Sequence, residues 1–233
     1  PDIDEEKIDV VYHAIDWIAG QKHEMPCAVE KPYILFTGQR GAYKNFNTCI
    51  RAVASVLIQN DVLLVCTGPS FTEKEMYLID SLHIKDRVQH IFTDDAGLKA
   101  LYENALCFVF PSLYEGFGFP ILEAFASGTP TVLANASCFP EIAGDASLYF
   151  DPNSESDIKG KISTIIQSES MRQHIIQKGY ERYKCFSMEK MIEKTYNTYQ
   201  KALNMYCRQG GVRTKSFFCY YVWNNTACVG RVA

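Results

Sequence analysis

The chain has 233 residues, of which 47% are hydrophobic and 21% are charged, and its formal net charge at pH 7 is −4. This composition is typical of a globular protein, and the length predicts one large domain with a sizeable core rather than two domains. A net negative charge does not resemble that of a general nucleic-acid-binding protein, whose electrostatic footprint is a basic stripe, so we expect no nucleic-acid partner.

The nine cysteines are scattered along the chain, and several lie in apolar runs, where a free thiol behaves as a small hydrophobic group. No cysteine pair or histidine cluster has the spacing of a metal site, so we expect no bound metal. This usage of cysteine favours a reduced, cytoplasmic setting. The chain begins at Pro1 without a methionine or a signal peptide, and we therefore expect a piece of a longer protein.

Short apolar runs alternate with helical patterns from residue 33 onward. Runs that are apolar throughout are typical of strands covered on both faces. The predicted strands are residues 33–37, 62–66, 88–92, 106–110, 131–134 and 148–150. The predicted helices between them are residues 45–59, 72–82, 95–104 and 120–127. This alternation predicts an α/β fold with a doubly wound, parallel, Rossmann-like sheet.

The pattern becomes helical after residue 151, with predicted helices at residues 154–168, 170–183 and 187–205. Ser154, Ser170 and Ser187 are the predicted N-caps of these three helices. In parallel sheets of this kind, ligands bind beyond the carboxyl ends of the strands. We therefore expect the loops at residues 38–44, 68–71 and 112–119 to share one edge of the sheet.

Gly38 opens a turn after the first predicted strand, and the turn carries two cations, Arg40 and Lys44. An arginine can grip a diphosphate with paired N–H donors, and a lysine adds a compact positive charge. Both would stabilise the charge that develops on a departing nucleoside diphosphate. Taken alone, the pair is more typical of an exposed helix entry, since charged loop residues are usually exposed.

Two carboxylates, Glu115 and Glu123, lie eight positions apart across a glycine-rich turn that leads into a helix. Backbone N–H groups at such a helix start can bind a phosphate. Glu123 follows Pro120, in the first turn of the predicted helix, where it can reach a sugar hydroxyl. A pair of carboxylates also fits a glycoside hydrolase, in which one is the acid and the other the base or nucleophile. We prefer hydroxyl binding, because the acids frame the turn.

Residues 33–204 resemble the C-terminal, donor-binding half of retaining glycosyltransferases of family four, which have the two-domain GT-B fold. The resemblance depends on Gly38-x-Arg40-x-x-x-Lys44-Asn45, on Gly68, on Pro111-Ser-x-x-Glu115-Gly-Phe-Gly-x-Pro120-x-x-Glu123-Ala-x-Ala-x-Gly128-x-Pro130, and on Pro140-Glu141 with Ala143-Gly144-Asp145-Ala146.

The resemblance implies a role for each matching residue. Arg40, Lys44 and Glu115 would form the catalytic set, with both cations on the diphosphate and Glu115 on the donor sugar. Glu123 would bind the ribose hydroxyls. The other donor-binding residues would lie in the glycine turns and along the base-binding segment, namely Gly38, Gly116, Phe117, Gly118, Phe119, Val88 and Phe92.

The family transfers a hexose, with retention, from a nucleoside diphosphate sugar to a glycan or lipid-linked glycan, and it uses no metal or other cofactor. The turn around Lys44 resembles that of members which use GDP-mannose. By this resemblance, residues 1–20 are a remnant of an N-terminal domain that is otherwise missing, residues 21–205 are the donor-binding domain, and residues 206–233 are a tail. We expect the chain alone to bind nucleotide but to turn over poorly.

Two other functions remain open at this point. The chain could be a sugar-nucleotide-binding module without activity, or a glycoside hydrolase. The basic, aromatic tail could rest on the inner face of the membrane, which would suit a lipid-linked acceptor. It could also pack on the missing domain or be foreign to this one, and we favour these two alternatives.

Overall fold

The computed structural model describes residues 8–17 and 29–208. The predicted tail from residue 209 onward, residues 1–7 and 18–20 of the predicted remnant, and residues 21–28 of the predicted donor-binding domain lie outside the described residues.

Six parallel strands form one sheet with the order β3-β2-β1-β4-β5-β6. The strands are β1 Tyr33–Phe36, β2 Leu63–Cys66, β3 Val88–His90, β4 Cys107–Phe110, β5 Thr131–Ala134 and β6 Leu148–Phe150. In register, Ile34 of β1 lies opposite Leu64 of β2 on one side and Cys107 of β4 on the other. This order is that of a doubly wound Rossmann-like sheet, which confirms the predicted fold class.

The helices that surround the sheet are α1 Phe46–Asn60, α2 Glu73–Ser81, α3 Asp95–Asn104, α4 Phe119–Ala126, α5 Phe139–Ala143, α6 Glu155–Gln167 and α7 Glu169–Tyr183. Helix α8, Met188–Arg208, comes later in the chain. Within residues 8–17 and 29–208, single 3₁₀ turns lie at Ala42–Lys44, Lys85–Arg87 and Lys184–Phe186. Helix α5 was not predicted, because five residues are too few to show a helical period.

The central strands and α1 supply much of the core. All four residues of β1 and of β4 are buried, as expected for strands covered on both faces. Helix α1 buries apolar residues at helical spacing, including Phe46, Ile50 and Val53, and the ring of Phe46 packs edge-on against Phe36 at 5.2 Å. This packing sets the start of α1 beside the carboxyl end of β1.

Side-chain caps determine where several helices begin. Asp94 caps α3 by accepting a hydrogen bond from Gly97 N, and Ser154 caps α6 by accepting one from Asp157 N. The prediction of Ser170 as a cap is wrong. Ser168 caps α7 instead, accepting a hydrogen bond from Met171 N at 3.2 Å, because α7 begins directly after α6 and already includes Ser170.

The chain divides into two compact units, one of which is His13–Met188 and contains the whole sheet. In the other unit, the described residues are 8–12 and the part of α8 that follows Met188. Within that unit, Lys201 forms an ion pair with Asp9 at 2.9 Å, and this bond lowers the pKa of Asp9. No helix among the described residues is long and apolar enough to cross a membrane.

Candidate donor-binding site

The loops that follow β1, β2 and β4 meet at one edge of the sheet. The N–H of Leu113, after β4, donates to the carbonyl of Tyr43, after β1, at 2.8 Å. Gly68, after β2, lies so close to the first loop that a Cβ there would be 2.6 Å from the carbonyl oxygen of Gly38. The strand order reverses between β1 and β4, and ligands of doubly wound sheets bind at such a reversal.

Lys44 and Glu115 meet across this reversal point. The Nζ of Lys44 lies 2.5 Å from Oε1 of Glu115, and each side chain is 15% exposed. The same ammonium group lies 5.1 Å from the ring centroid of Tyr43 and 5.4 Å from that of Phe110. The cation and the acid are therefore partly shielded from water. Charged groups in such surroundings interact more strongly than on an open surface.

Local backbone geometry holds this ion pair in place. Asn45 follows Lys44 in the left-handed conformation, with a φ of 55°, and its side-chain amide donates to the carbonyl of Pro152 at 2.8 Å. On the other side, Glu115 N donates to the hydroxyl of Ser137 at 3.1 Å, and that hydroxyl donates to Glu115 O at 2.8 Å. Both partners are thus tied to neighbouring loops through their backbone.

Arg40 is buried among partners of its own. Its Nε lies 3.1 Å from Oε1 of Glu75, and its side chain is 3% exposed. Its terminal nitrogens donate to the carbonyl oxygens of Thr67 and Pro69, and its guanidinium lies 4.6 Å from the ring centroid of Phe71. The arginine therefore connects the loop after β1 to the loop after β2.

Glu123 is the fifth residue of α4, in the second helical turn, since the helix begins at Phe119. The prediction of a place in the first turn is therefore wrong. Its Oε2 accepts a hydrogen bond from the hydroxyl of Tyr102 at 3.0 Å. Burial raises the pKa of Glu123 above its ordinary value, the hydrogen bond from Tyr102 lowers it, and the charge of Asp95 raises it.

The glycine-rich turn leads directly into α4. Gly118 is the N-cap with a φ of 88°, and no side chain caps the helix. A Cβ at Gly118 would lie 3.1 Å from Ile121 Cδ1. Both the positive φ and the limited space therefore favour glycine at this position. Beside the turn, the ring of His13 lies 5.2 Å from that of Phe117 and 5.5 Å from that of Phe119.

The structure places the predicted site residues in three groups. Lys44 and Glu115 are in direct contact, Arg40 is held by Glu75, and Glu123 is held by Tyr102. The remaining predicted positions lie in the loops around these groups, at the start of α4, in β3 or just after it, namely Gly38, Gly116, Phe117, Gly118, Phe119, Val88 and Phe92. Strand β3 ends at His90, before the predicted end, and the ring of Phe92 is 90% exposed.

Sequence reasoning missed three residues that hold the predicted ones: Glu75, Tyr102 and Ser137. For Glu75 a signal was present, because Thr72-x-x-Glu75 has the spacing of a capping box, which the structure contains. Tyr102 and Ser137 contact Glu123 and Glu115 from 21 and 22 positions away. No local pattern predicts pairings at that distance along the chain.

The Rossmann-like sheet, the glycine turn and the charged residues at the strand reversal are typical of α/β domains in which a ligand binds at that reversal. The family of glycosyl transferases group 1 matches residues 21–182. The chain belongs to this family.

Two curated relatives are O-antigen mannosyltransferases. The chain is 41% identical to O-antigen chain mannosyltransferase B of Escherichia coli over 109 residues, which cover 47% of this chain and 29% of the relative. It is 30% identical to O-antigen chain mannosyltransferase RfbU of Salmonella typhimurium over 169 residues, 71% of this chain and 46% of the relative. The chain thus spans less than half the length of these two relatives.

Solved structures share the fold. A glycosyltransferase from Rickettsia africae superposes with a TM-score of 0.75 at 21% identity, covering 86% of this chain and 59% of the other. The C-terminal domain of a glycosyl transferase group 1 family protein, LpcC from Francisella tularensis, superposes with a TM-score of 0.59 at 24% identity, covering 66% of this chain and 85% of the other. The two likenesses concern the fold alone.

Proposed function

We propose that this chain binds the donor of a retaining hexosyltransferase, which moves a hexose from a nucleoside diphosphate sugar to a glycan or lipid-linked glycan. The observation that carries the proposal is the ion pair of Lys44 and Glu115 at the strand reversal, 2.5 Å apart. GDP-mannose is the first donor to test, because two relatives are named mannosyltransferases.

In the proposed complex, the bond between Lys44 and Glu115 is exchanged for bonds to the donor. The ammonium group of Lys44 moves to the diphosphate, where it stabilises the charge of the leaving group. Glu115 is then free to accept hydrogen bonds from hydroxyls of the sugar. The exchange replaces the single charge-assisted hydrogen bond between the two residues with bonds from each of them to the donor, so neither charge is left without a partner in a partly buried site.

Arg40 contributes to donor binding through those N–H groups that donate no hydrogen bond to Glu75, Thr67 or Pro69. A guanidinium has five N–H donors, and those of Arg40 donate to Glu75, Thr67 and Pro69. Its remaining donors would face the diphosphate. Since its protein partners fix the guanidinium before the ligand arrives, little side-chain entropy is lost on binding.

The proposal predicts that Lys44→Ala weakens nucleotide binding by about tenfold or more, because a hydrogen bond to a charged group is worth about 1.5–3 kcal/mol. The measurement is calorimetric titration of the purified chain with GDP, UDP, GDP-mannose and UDP-glucose. The matched control is Lys85→Ala, since Lys85 also pairs with an acid but both side chains are at least half exposed.

Two results would contradict this proposal. If the folded wild-type chain binds none of the four ligands, the chain has no donor site. If it binds them and Lys44→Ala binds equally well, the site lies elsewhere. Release of free mannose from a simple mannoside would instead favour the glycoside hydrolase, and donor binding without transfer by the full-length enzyme would favour the inactive binding module.

We also propose a cytoplasmic location at the inner face of the membrane, where a lipid-linked acceptor would be found. Its support is the acceptor class that the family resemblance implies.

A further inference from the structure

Tyr102 is completely buried, yet its hydroxyl contacts two residues at the carboxyl edge of the sheet. It lies 3.0 Å from Oε2 of Glu123 on α4 and 3.4 Å from Oγ1 of Thr37, the residue directly after β1. Thr37 in turn precedes Gly38, the first residue of the turn that carries Arg40 and Lys44. The hydroxyls of Thr37 and Tyr102 thus connect the turn that carries Arg40 and Lys44 to the carboxylate of Glu123.

The direction of these hydrogen bonds follows from protonation. Burial, together with the charge of Glu123, raises the pKa of Tyr102 well above its ordinary value, so the hydroxyl keeps its proton at neutral pH. An ionised carboxylate can only accept, so Tyr102 donates this proton to Glu123. The hydroxyl of Thr37 must then donate to the oxygen of Tyr102.

The rest of Tyr102 is fixed as firmly as its hydroxyl. Its carbonyl accepts a hydrogen bond from Oγ1 of Thr129 at 2.7 Å. Its ring packs edge-on against Phe108, with centroids 5.4 Å apart, and edge-on against Trp17 at 6.1 Å. Since the residue is held at its backbone, ring and hydroxyl, it presents its O–H in one direction.

Glu123 has one oxygen bound and the other available. Its Oε1 has no hydrogen-bond partner among the described residues. Among the described residues, the hydroxyl of Ser112 is the only fully buried side-chain oxygen or nitrogen without a hydrogen-bond partner. Since Oε1 of Glu123 also has no partner, it is not fully buried. The hydrogen bond from Tyr102 therefore fixes the carboxylate while leaving Oε1 for a ligand.

We propose that Tyr102 is a positioning residue that orients the Glu123 carboxylate toward the ribose hydroxyls of the donor nucleotide. This inference rests on the proposed function, in which Glu123 binds those hydroxyls. Tyr102 itself does not touch the nucleotide, because its side chain is fully buried. Its effect should therefore depend on the ribose hydroxyls and on the ionisation of Glu123.

The test compares GDP with 2′,3′-dideoxy-GDP, or UDP with its dideoxy analogue if the wild type prefers uridine. We expect the wild type to bind the natural nucleotide about tenfold more tightly than the analogue, the worth of a hydrogen bond to a charged group. In Tyr102→Phe this preference should fall to about twofold, because the carboxylate loses the donor that orients it. Affinity for the analogue should stay unchanged.

The matched control is Tyr33→Phe. Tyr33 is also a buried tyrosine whose hydroxyl donates a hydrogen bond, to the carbonyl of Leu101 at 2.6 Å, and its loss should leave the preference for ribose intact. If Tyr102→Phe does not fold, Thr37→Val removes the donor behind Tyr102 and should lower the same preference by a smaller factor.

The pH dependence gives a second readout that a purely structural role would not move. Asp95 and Tyr102, both on α3, are the groups that act on the pKa of Glu123 besides burial. The preference for ribose should decline as the pH falls through the pKa of Glu123, since a protonated carboxyl accepts more weakly. In Tyr102→Phe the decline should begin at a higher pH, because the bond that lowers this pKa is gone.

The outcomes separate the two proposals. A folded Tyr102→Phe variant that keeps the full preference for ribose overturns the role of Tyr102 and leaves the donor site standing. Absence of nucleotide binding by the folded wild type overturns both.

Discussion

Arg40 and Lys44 stand four positions apart on one turn, but their side chains have different surroundings. Lys44 keeps 15% of its side chain exposed beside Glu115, whereas Arg40 keeps 3% beside Glu75. Glu75 serves two functions, because its Oε1 pairs with Arg40 and its Oε2 accepts from Thr72 N at 2.7 Å to cap α2. One carboxylate therefore neutralises a buried cation and anchors a helix.

We predict that Glu75→Gln lowers the free energy of unfolding by about 3 kcal/mol, since removing one partner of a buried ion pair leaves the other charge uncompensated. Urea denaturation followed by circular dichroism measures it. Glu73→Gln is the control, because Glu73 lies in the same first turn of α2 but is exposed. Equal stability of the two variants would show that Arg40 does not depend on Glu75.

At the scale of whole elements, the loops after β1 and β2 touch through their backbones. Gly68 has a φ of 95° and Gly38 has a φ of 90°, and a Cβ at Gly68 would clash with the carbonyl group of Gly38. A backbone atom cannot rotate away as a flexible side chain can. The distance between these two loops is therefore determined by the absence of a side chain at Gly68.

Gly68→Ala should destabilise the protein by about 1–3 kcal/mol, through a strained φ and the clash with Gly38, and should also weaken nucleotide binding by separating the two loops. Gly160→Ala is the control, and we expect it to change the stability in the opposite direction. Gly160 lies within α6 with nothing within 4 Å of its would-be Cβ, so alanine there should stabilise by about 0.5–1 kcal/mol. Thermal unfolding and calorimetry measure both effects, and an unchanged melting temperature for Gly68→Ala would refute the clash.

The sheet could be predicted from the sequence because most of its strands are short apolar runs separated by helical patterns. The predicted third strand is two residues too long, since Ile91 and Phe92 are apolar although the strand ends at His90. Apolar character alone does not reveal where pairing stops. The ring of Phe92 is in fact among the most exposed apolar side chains of the described residues.

Only those residues of the candidate site that belong to its sequence motifs could be predicted. The pairing of Lys44 with Glu115 joins residues 71 positions apart, and it follows from the parallel sheet together with the two turns. The pairings with Glu75 and Tyr102 could not be predicted, because they depend on how α2 and α3 rotate against the sheet. The roles of these residues in donor binding stay predictions until ligand binding is measured.

At the scale of the molecule, the core joins distant parts of the chain. Cys49 of α1, Cys66 of β2 and Cys107 of β4 are all fully buried. Burial raises the pKa of Cys49 and of Cys107 to about 12, and also that of Cys66. Because the thiolate is the reactive form, these three thiols should be inert in the folded protein.

We predict that the three buried thiols become reactive together, at one urea concentration, as expected for one cooperative core. Pulse labelling with iodoacetamide, read peptide by peptide by mass spectrometry, measures this. Cys185 is the control, because it is exposed and should react at every urea concentration. Separate midpoints for Cys49, Cys66 and Cys107 would mean that the core unfolds in parts.

The parallel arrangement of all six strands also has a practical consequence for experiments. Every strand begins at the edge opposite the charged loops, so Glu30, ahead of β1, and Asp61, ahead of β2, are separated from Lys44 by the length of a strand. Both residues are also exposed. A fluorophore or an immobilisation handle attached at either position would be remote from the edge at which we propose that the donor binds. This edge is therefore the one by which to tether the protein to a sensor chip.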